Sequence, residues 1–267
     1  MSIESTSPCH RPSGAVVTAI GVFVATRWEL SAVCQAFATT DLHVVGGIRC
    51  HVASQAQTEW WLIPMGVGPQ RAAATAANVL AAKRLDALWS TGFACALGTA
   101  GIGDVLIGTG VTRVDGVTQG QPLACAPSTV EWLRQAAGAK GLETHYGGFV
   151  TVPRVLCRAE EKREMADLVG GIGLDMESAA LGLVAMEQGI PFAIVRTVSD
   201  LLDESLPLDF NLFLRPSGWA KGVAACLAHP SSLVGLNRLR VQSRIAGQQL
   251  TALYRACAER AAREKVA

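Results

Sequence analysis

The chain has 267 residues and a formal net charge of +1, with half its residues hydrophobic and only 17% charged. That length and apolar content suffice for one large folded domain, and the near-neutral charge argues against general nucleic-acid binding. Eight cysteines stand singly at positions 9, 34, 50, 95, 125, 157, 226 and 257, with no CxxC pair, which predicts reduced thiols in a cytoplasmic protein, no disulfide frame and no metal site. The opening "MSIESTSPCHRPSG" lacks a basic segment followed by an apolar one, so residues 1–13 read as a flexible tail rather than a leader peptide. Mean hydropathy is +0.30, yet the longest apolar-looking run, 15–26, is shorter than the ~20 residues a membrane-spanning helix needs.

In chain order, short β-branched runs alternate with helical stretches. "AVVTAIGVFVAT" predicts a first strand, and "EWWLIPMGVG" a second that ends in a glycine turn, Gly66 to Gly68. "PQRAAATAANVLAAKRL" follows as a helix over 69–85. "ALWSTGFACAL", "GDVLIGTGVTRVDG" and "GGFVTVPRVL" are further strands, then come helices over 159–170 and 176–189 and the strand "PFAIVRTVS". Gly189 can end the second of these helices, and Pro191 forbids its continuation. The alternation predicts an α/β fold with three layers, α/β/α, around a central mixed sheet. We read one domain over 14–230, followed by a basic amphipathic helical extension over 231–267.

In open α/β sheets, ligands sit outside the carboxyl ends of the strands. "AIVRTVSD" ends such a strand with Ser199-Asp200, and Gly66–Gly68, Gly92–Ala96 and Arg27–Glu29 occupy comparable positions. By itself the Ser-Asp pair reads equally well as a helix N-cap. "GVGPQR" only approaches a dinucleotide fingerprint, and neither a P-loop nor a G-x-S-x-G motif is present.

The segment "GLDMESAALGLVAMEQGIPFAIVRTVSDLLDE" resembles the closing part of the nucleoside phosphorylase/nucleosidase family, in particular the methylthioadenosine/S-adenosylhomocysteine nucleosidases. The match runs through Asp175-Met176-Glu177, Ala179, Pro191-Phe192, Arg196 and Ser199-Asp200. "MGVGPQRAAATAANVL" and "LWSTGFACALGTAGIGDVLIGTGV" resemble upstream family segments, in family order, so the likeness covers roughly residues 16–215. The resemblance implies a phosphorylase/hydrolase-like fold, cleavage of the N-glycosidic bond of an adenine-type nucleoside without a cofactor, and assembly as a homodimer. Asp200 would protonate the purine at N7, with Ser199 holding its carboxyl. Glu177 would accept hydrogen bonds from the ribose hydroxyls, Met176 would pack on the ribose face, Val155 and Leu156 would wall the base, and Phe93 would also line the substrate site. Glu29 would position water, giving two carboxylates on opposite sides of the scissile bond, as in an inverting glycosidase. Arg27, with Gly66 and Gly68, would instead serve a phosphate co-substrate in a phosphorylase. Plain alternatives stand beside these roles: Glu177 as a surface helix residue, Met176 as core filler, and Arg27 and Glu29 in solvent at the start of a helix. The sequence departs from the family at "GFACA", where Phe93 and Cys95 replace small or hydroxyl residues. Such a loop cradles phosphate less well, which tilts the expectation towards water.

"GGFVTVPRVLCRAEEKREMADLVGGIGLDMES" and "HPSSLVGLNRLRVQSRIAGQQLTALYRA" look most like the hopanoid-associated branch, whose members are linked to removal of adenine from an adenosylated hopane lipid. The basic tail, with Leu236, Leu239, Leu250, Leu253 and Tyr254 on one stripe, could lie on an anionic membrane as a peripheral contact. It could equally pack on its own domain or on a partner. A nucleoside-binding module without catalysis is the alternative from another class, and a dinucleotide-dependent oxidoreductase a weaker third.

Overall fold

The computed structural model describes residues 18–214 and 231–264. The tail assigned to 1–13 and the stretch 215–230 that closes the assigned domain lie outside the described residues. Eleven strands form one mixed sheet in the order β10-β9-β6-β11-β5-β1-β4-β3-β2, with the short β7 (Thr118–Gln119) and β8 (Leu123–Ala124) paired to β6. Four strands at its centre are mutually parallel: β1 (Thr18–Val24), β4 (Thr58–Pro64), β5 (Ala87–Ala96) and β11 (Phe192–Asp200). They are buried almost end to end, which is why they read as continuous apolar runs rather than alternating ones.

One half of the sheet closes on itself. β6 (Val105–Asp115) runs antiparallel to β11 and parallel to β9 (Thr144–Thr151). The short β10 (Gly173–Asp175) pairs with β9 and returns to β5, antiparallel, through Gly173–Ala96 and Leu174–Cys95. Running against β5, β10 starts beside its last residue, Ala96, and carries Asp175, Met176 and Glu177 back along it. The other edge is a hairpin, β2 (Asp41–Val45) and β3 (Ile48–Gln55). Its turn residues Gly46 and Gly47 have φ of 55° and 77°, the positive pair that two-residue hairpins of right-handed twist require.

Helices cover both faces. α2 (Pro69–Ala82) and α5 (Ser178–Glu187) bury Ala72, Ala76, Val79, Leu181 and Ala185 on one side. On the other, α1 (Arg27–Cys34), α3 (Pro127–Gly138) and the C-terminal α6 (Ser231–Ala261) share a core with Trp60 and Trp89. α4 (Ala159–Val169) sits over the closed end, with Met165, Ala166 and Val169 packed there. The result is the three-layer arrangement expected from the sequence. α6 packs its apolar stripe on the domain: Leu250, Leu253 and Tyr254 are fully buried, each leucine contributing about 1.5–3 kcal/mol. Tyr254 lies edge-on to Trp60 with ring centroids 6.2 Å apart, while Leu236 and Leu239 are half-buried. Thr197 and Thr251 tie the helix down through hydrogen bonds to the carbonyls of Ala246 and Ala32, at 3.0 and 2.7 Å. No described helix is long and apolar enough to cross a membrane.

Candidate active site

The carboxyl ends of β1, β5 and β11 and the β10–α5 junction enclose a cavity of about 190 Å³. Eight sequence-assigned residues line it: Glu29, Phe93, Val155, Leu156, Met176, Glu177, Ser199 and Asp200. Arg27, Gly66 and Gly68 are not among its lining residues. Arg27 is exposed and faces a neighbouring groove that meets the cavity at Phe93. Gly66 lies against the Arg71 side chain, and Gly68 touches the site only through its amide.

Glu29 occupies the third position of α1 and forms a capping box with Thr26. The sequence expectation of a helix start was therefore right, but Glu29 is not in solvent; it is 3% exposed. Its Oε2 accepts from the amide and hydroxyl of Thr26 at 2.7 and 2.8 Å, and its Oε1 accepts from the Phe93 amide at 2.7 Å. Gly92, at φ 142°, permits this approach: a Cβ there would stand 2.2 Å from Glu29 Oε1.

Glu177 is buried rather than on a helix surface. Its Oε1 accepts from the Gly68 amide at 2.8 Å. Burial pushes its carboxyl up to about 7, with Asp175 and Glu29 adding to the rise and Arg196 and the Gly68 amide opposing it. Arg196 is the cation at the centre of this side. Its guanidinium lies 2.8 Å from Asp175 and 3.7 Å from Glu177, and it donates to the Phe93 carbonyl and the Ser90 hydroxyl, both at 3.0 Å. Asp175 also accepts from the hydroxyls of Thr151 and Ser178. Phe93 is thus fixed by its backbone at both ends.

Asp200 ends β11 and caps no helix, which removes the N-cap reading. The register against β5 shifts between Val198 and Asp200, a bulge of the kind that re-aims a side chain beside a site. Ser199 donates to Asp200 Oδ1 at 3.0 Å, and Lys162 Nζ lies 2.7 Å from Oδ2. Lys162 is fully buried and also donates to the carbonyls of Leu201 and Glu204 at 3.0 and 2.9 Å. Burial is the largest influence and works against its charge, but Asp200 and Cys95 together offset it and hold the ammonium above its usual range. Sequence reasoning assigned no role to Lys162. Its only signal is its place at Ala159, Lys162, Ala166 and Val169, a helical stripe that faces inward.

Val155 is braced by Asn211, which accepts from its amide and donates to its carbonyl, each at 2.9 Å. Arg154 at the cavity rim pairs with Glu161 at 2.8 Å. No cluster of three or more His, Cys, Asp or Glu suited to a metal exists among the described residues.

Comparison with known proteins agrees with this geometry. The model of the phosphorylase superfamily matches residues 19–216. A 5'-methylthioadenosine/S-adenosylhomocysteine nucleosidase of Glaesserella parasuis is 26% identical over 210 residues, 73% of this chain and 91% of that protein. One from Listeria monocytogenes is 25% identical over 228 residues, covering 78% and 96%. Among solved structures, the nucleosidase from S. pneumoniae with a transition-state inhibitor has a TM-score of 0.68 at 20% identity, covering 90% of this chain and 100% of that one. The native futalosine hydrolase of Helicobacter pylori has a TM-score of 0.67 at 16% identity, covering 89% and 97%. The match over most of the chain settles the family: the chain belongs to the phosphorylase superfamily.

Proposed function

We propose that this enzyme, which cleaves N-glycosidic bonds, does so by hydrolysis, releasing adenine from an adenine nucleoside with water as the acceptor. The observation that carries this reading is the use made of the loop amides. The N–H groups of Phe93 and Gly68, which could cradle a phosphate, donate to Glu29 and Glu177 instead. A phosphate bound there would face two carboxylates in a poorly solvated site, where like charges repel strongly. The nucleosidases among the relatives support the same acceptor. In this reading Glu29 orients the water, Glu177 accepts from the ribose hydroxyls, Met176 packs on the sugar, Val155 and Leu156 flank the base, and Asp200 passes the proton to N7. The test is adenine release from adenosine and 5'-methylthioadenosine, with and without phosphate. Free sugar at an unchanged rate is expected; strict phosphate dependence with a sugar 1-phosphate product would overturn the hydrolytic reading.

The adenosylated hopane lipid is the specific substrate we favour. The groove that adjoins the cavity at Phe93, about 830 Å³ between α1 and α6, presents Trp28 and Val241 beside Arg27, Arg240 and Arg244. It offers room for a large 5' substituent. Catalytic efficiency should then rise as the 5' group is lengthened, by up to about 0.8 kcal/mol, or about fourfold, per buried methylene. A flat response would remove the lipid and leave a small nucleoside. Homodimer assembly and contact of the basic tail with anionic membranes belong to the same proposal. Sedimentation velocity and flotation with anionic vesicles test them separately.

A further inference from the structure

We propose that Lys162 stores the proton that the departing base takes up, and delivers it through Asp200. The inference rests on the hydrolytic reading and adds to it the origin of the proton. Lys162 stands behind Asp200, outside the cavity lining, and its three donors meet three acceptors: Asp200 Oδ2 and the carbonyls of Leu201 and Glu204. Folding alone is a poor reason for such a pair, since apolar residues in place of a buried ion pair are often as stabilising or more so. Chemistry supplies a better one. An isolated carboxyl with a value near 4 has lost its proton at pH 7, whereas an ammonium–carboxylate pair still holds one between its two members. Lys162 therefore acts as a positioning residue: it touches Asp200 and not the substrate.

The step balances. The pair of electrons of the glycosidic bond leaves with the purine. A proton passes from Lys162 Nζ to the Asp200 carboxylate and from that carboxyl to N7, leaving Lys162 as a neutral amine. The water oxygen bonds to the anomeric carbon, and its proton goes to Glu29. After the products leave, that proton returns through solvent and recharges Lys162.

The groups around the ammonium do not compete for this task. Cys95, facing it from β5, is pushed well above its usual range, first by burial, and remains a thiol. The Glu204 side chain turns to Gln242 at 2.9 Å and Arg238 at 3.8 Å on α6. Asp203 pairs with Arg163 at 2.6 Å, and Glu161 with Arg154 at 2.8 Å.

The experiment is the pH profile of kcat for adenine release by the full chain and by Lys162→Met and Lys162→Arg, each checked by thermal melting. The wild type should be flat on the alkaline side to about pH 9, because the stored proton belongs to a lysine. Lys162→Met should lose rate as pH rises, roughly tenfold per pH unit once its lone carboxyl is ionised, and approach wild type in acid. Lys162→Arg keeps the charge but cannot release a proton, so it should be at least about a hundredfold slower at every pH, the scale of general acid catalysis. A wild-type profile that already falls below pH 7 overturns the proposal without any variant. So does either folded variant with the wild-type profile and a kcat within threefold, or a Lys162→Met loss that is the same at every pH. Absence of adenine release by the wild type would overturn the hydrolytic reading itself, and this inference with it.

Discussion

The two sides of the cavity are charged differently. On the sugar side, three carboxylates, Glu29, Asp175 and Glu177, surround one guanidinium, Arg196. On the base side, Asp200 and Lys162 form a matched pair at 2.7 Å. A surplus of acidic groups over cations suits a sugar that becomes cationic as its bond to the base breaks, whereas the leaving purine needs a proton. Fixed charges aimed at the charge that develops are the largest single source of catalysis in many enzymes. The mode of support differs as well. Glu29 is held by backbone amides and its own helix cap, which cannot change charge, while Asp200 is held by a group that can.

The largest expected effect comes from breaking the centre of the sugar side. Arg196→Met leaves Asp175 and Glu177 buried without their cation, at a cost of about 3–5 kcal/mol. Urea denaturation checks this, and a loss under 1 kcal/mol would show that the carboxylates do not depend on Arg196. Next comes Gly92→Ala, which forces Glu29 away from its place at the Phe93 amide. Displacing a catalytic group by about 1 Å can cost a hundredfold, so kcat should fall on that scale with adenine still bound; unchanged turnover would show that the position of Glu29 is not demanding.

The smaller effects concern Glu177. If it holds the ribose hydroxyls, Glu177→Gln should weaken ribonucleosides by about 1–3 kcal/mol and spare their 2'-deoxy analogues. Its raised value also fixes a sign. The native state holds this proton up to about 7, while the unfolded chain releases it near 4.3. The contribution of Glu177 to stability is therefore complete below about 4 and is lost as pH rises through about 7. Sugar binding runs the other way, because only the carboxylate is a full acceptor: kcat/KM should climb through pH 7 and lose that limb in Glu177→Gln. Equal losses on both sugars would point to a helix-support role instead.

How much of this was legible in the sequence follows the same division. The central strands were readable because buried parallel strands are continuous apolar runs, as in "AIVRTVSD". Eight of the residues lining the cavity were readable through the resemblance of segments such as "DMESAA" and "SD" to a known family; Arg154 and Leu206, which close the rim, were not. The hairpin of β2 and β3 was passed over although Gly46-Gly47 marks it, and β10 is too short to leave a pattern. Lys162 was missed for a physical reason. It sits in "AEEKREMADLVG", a helix so charged that every lysine in it looks solvated, and the partner that draws it inward is 38 residues away. The C-terminal stripe was visible too. What covers it is a long-range fact: Leu250, Leu253 and Tyr254 meet Trp60 and Trp89 of strands near the other end of the chain.

The division of labour between the two sides is tested most directly by changing the leaving group. Glu29→Gln and Asp200→Asn are assayed on adenosine and on p-nitrophenyl β-D-ribofuranoside, whose phenolate departs without a proton. Glu29→Gln should slow both substrates by about a hundredfold or more, since both need the water. Asp200→Asn should slow adenosine to a similar degree and leave the nitrophenyl riboside within a few-fold of wild type. Equal losses on the two substrates in folded Asp200→Asn protein would contradict the assignment of proton delivery to the base side.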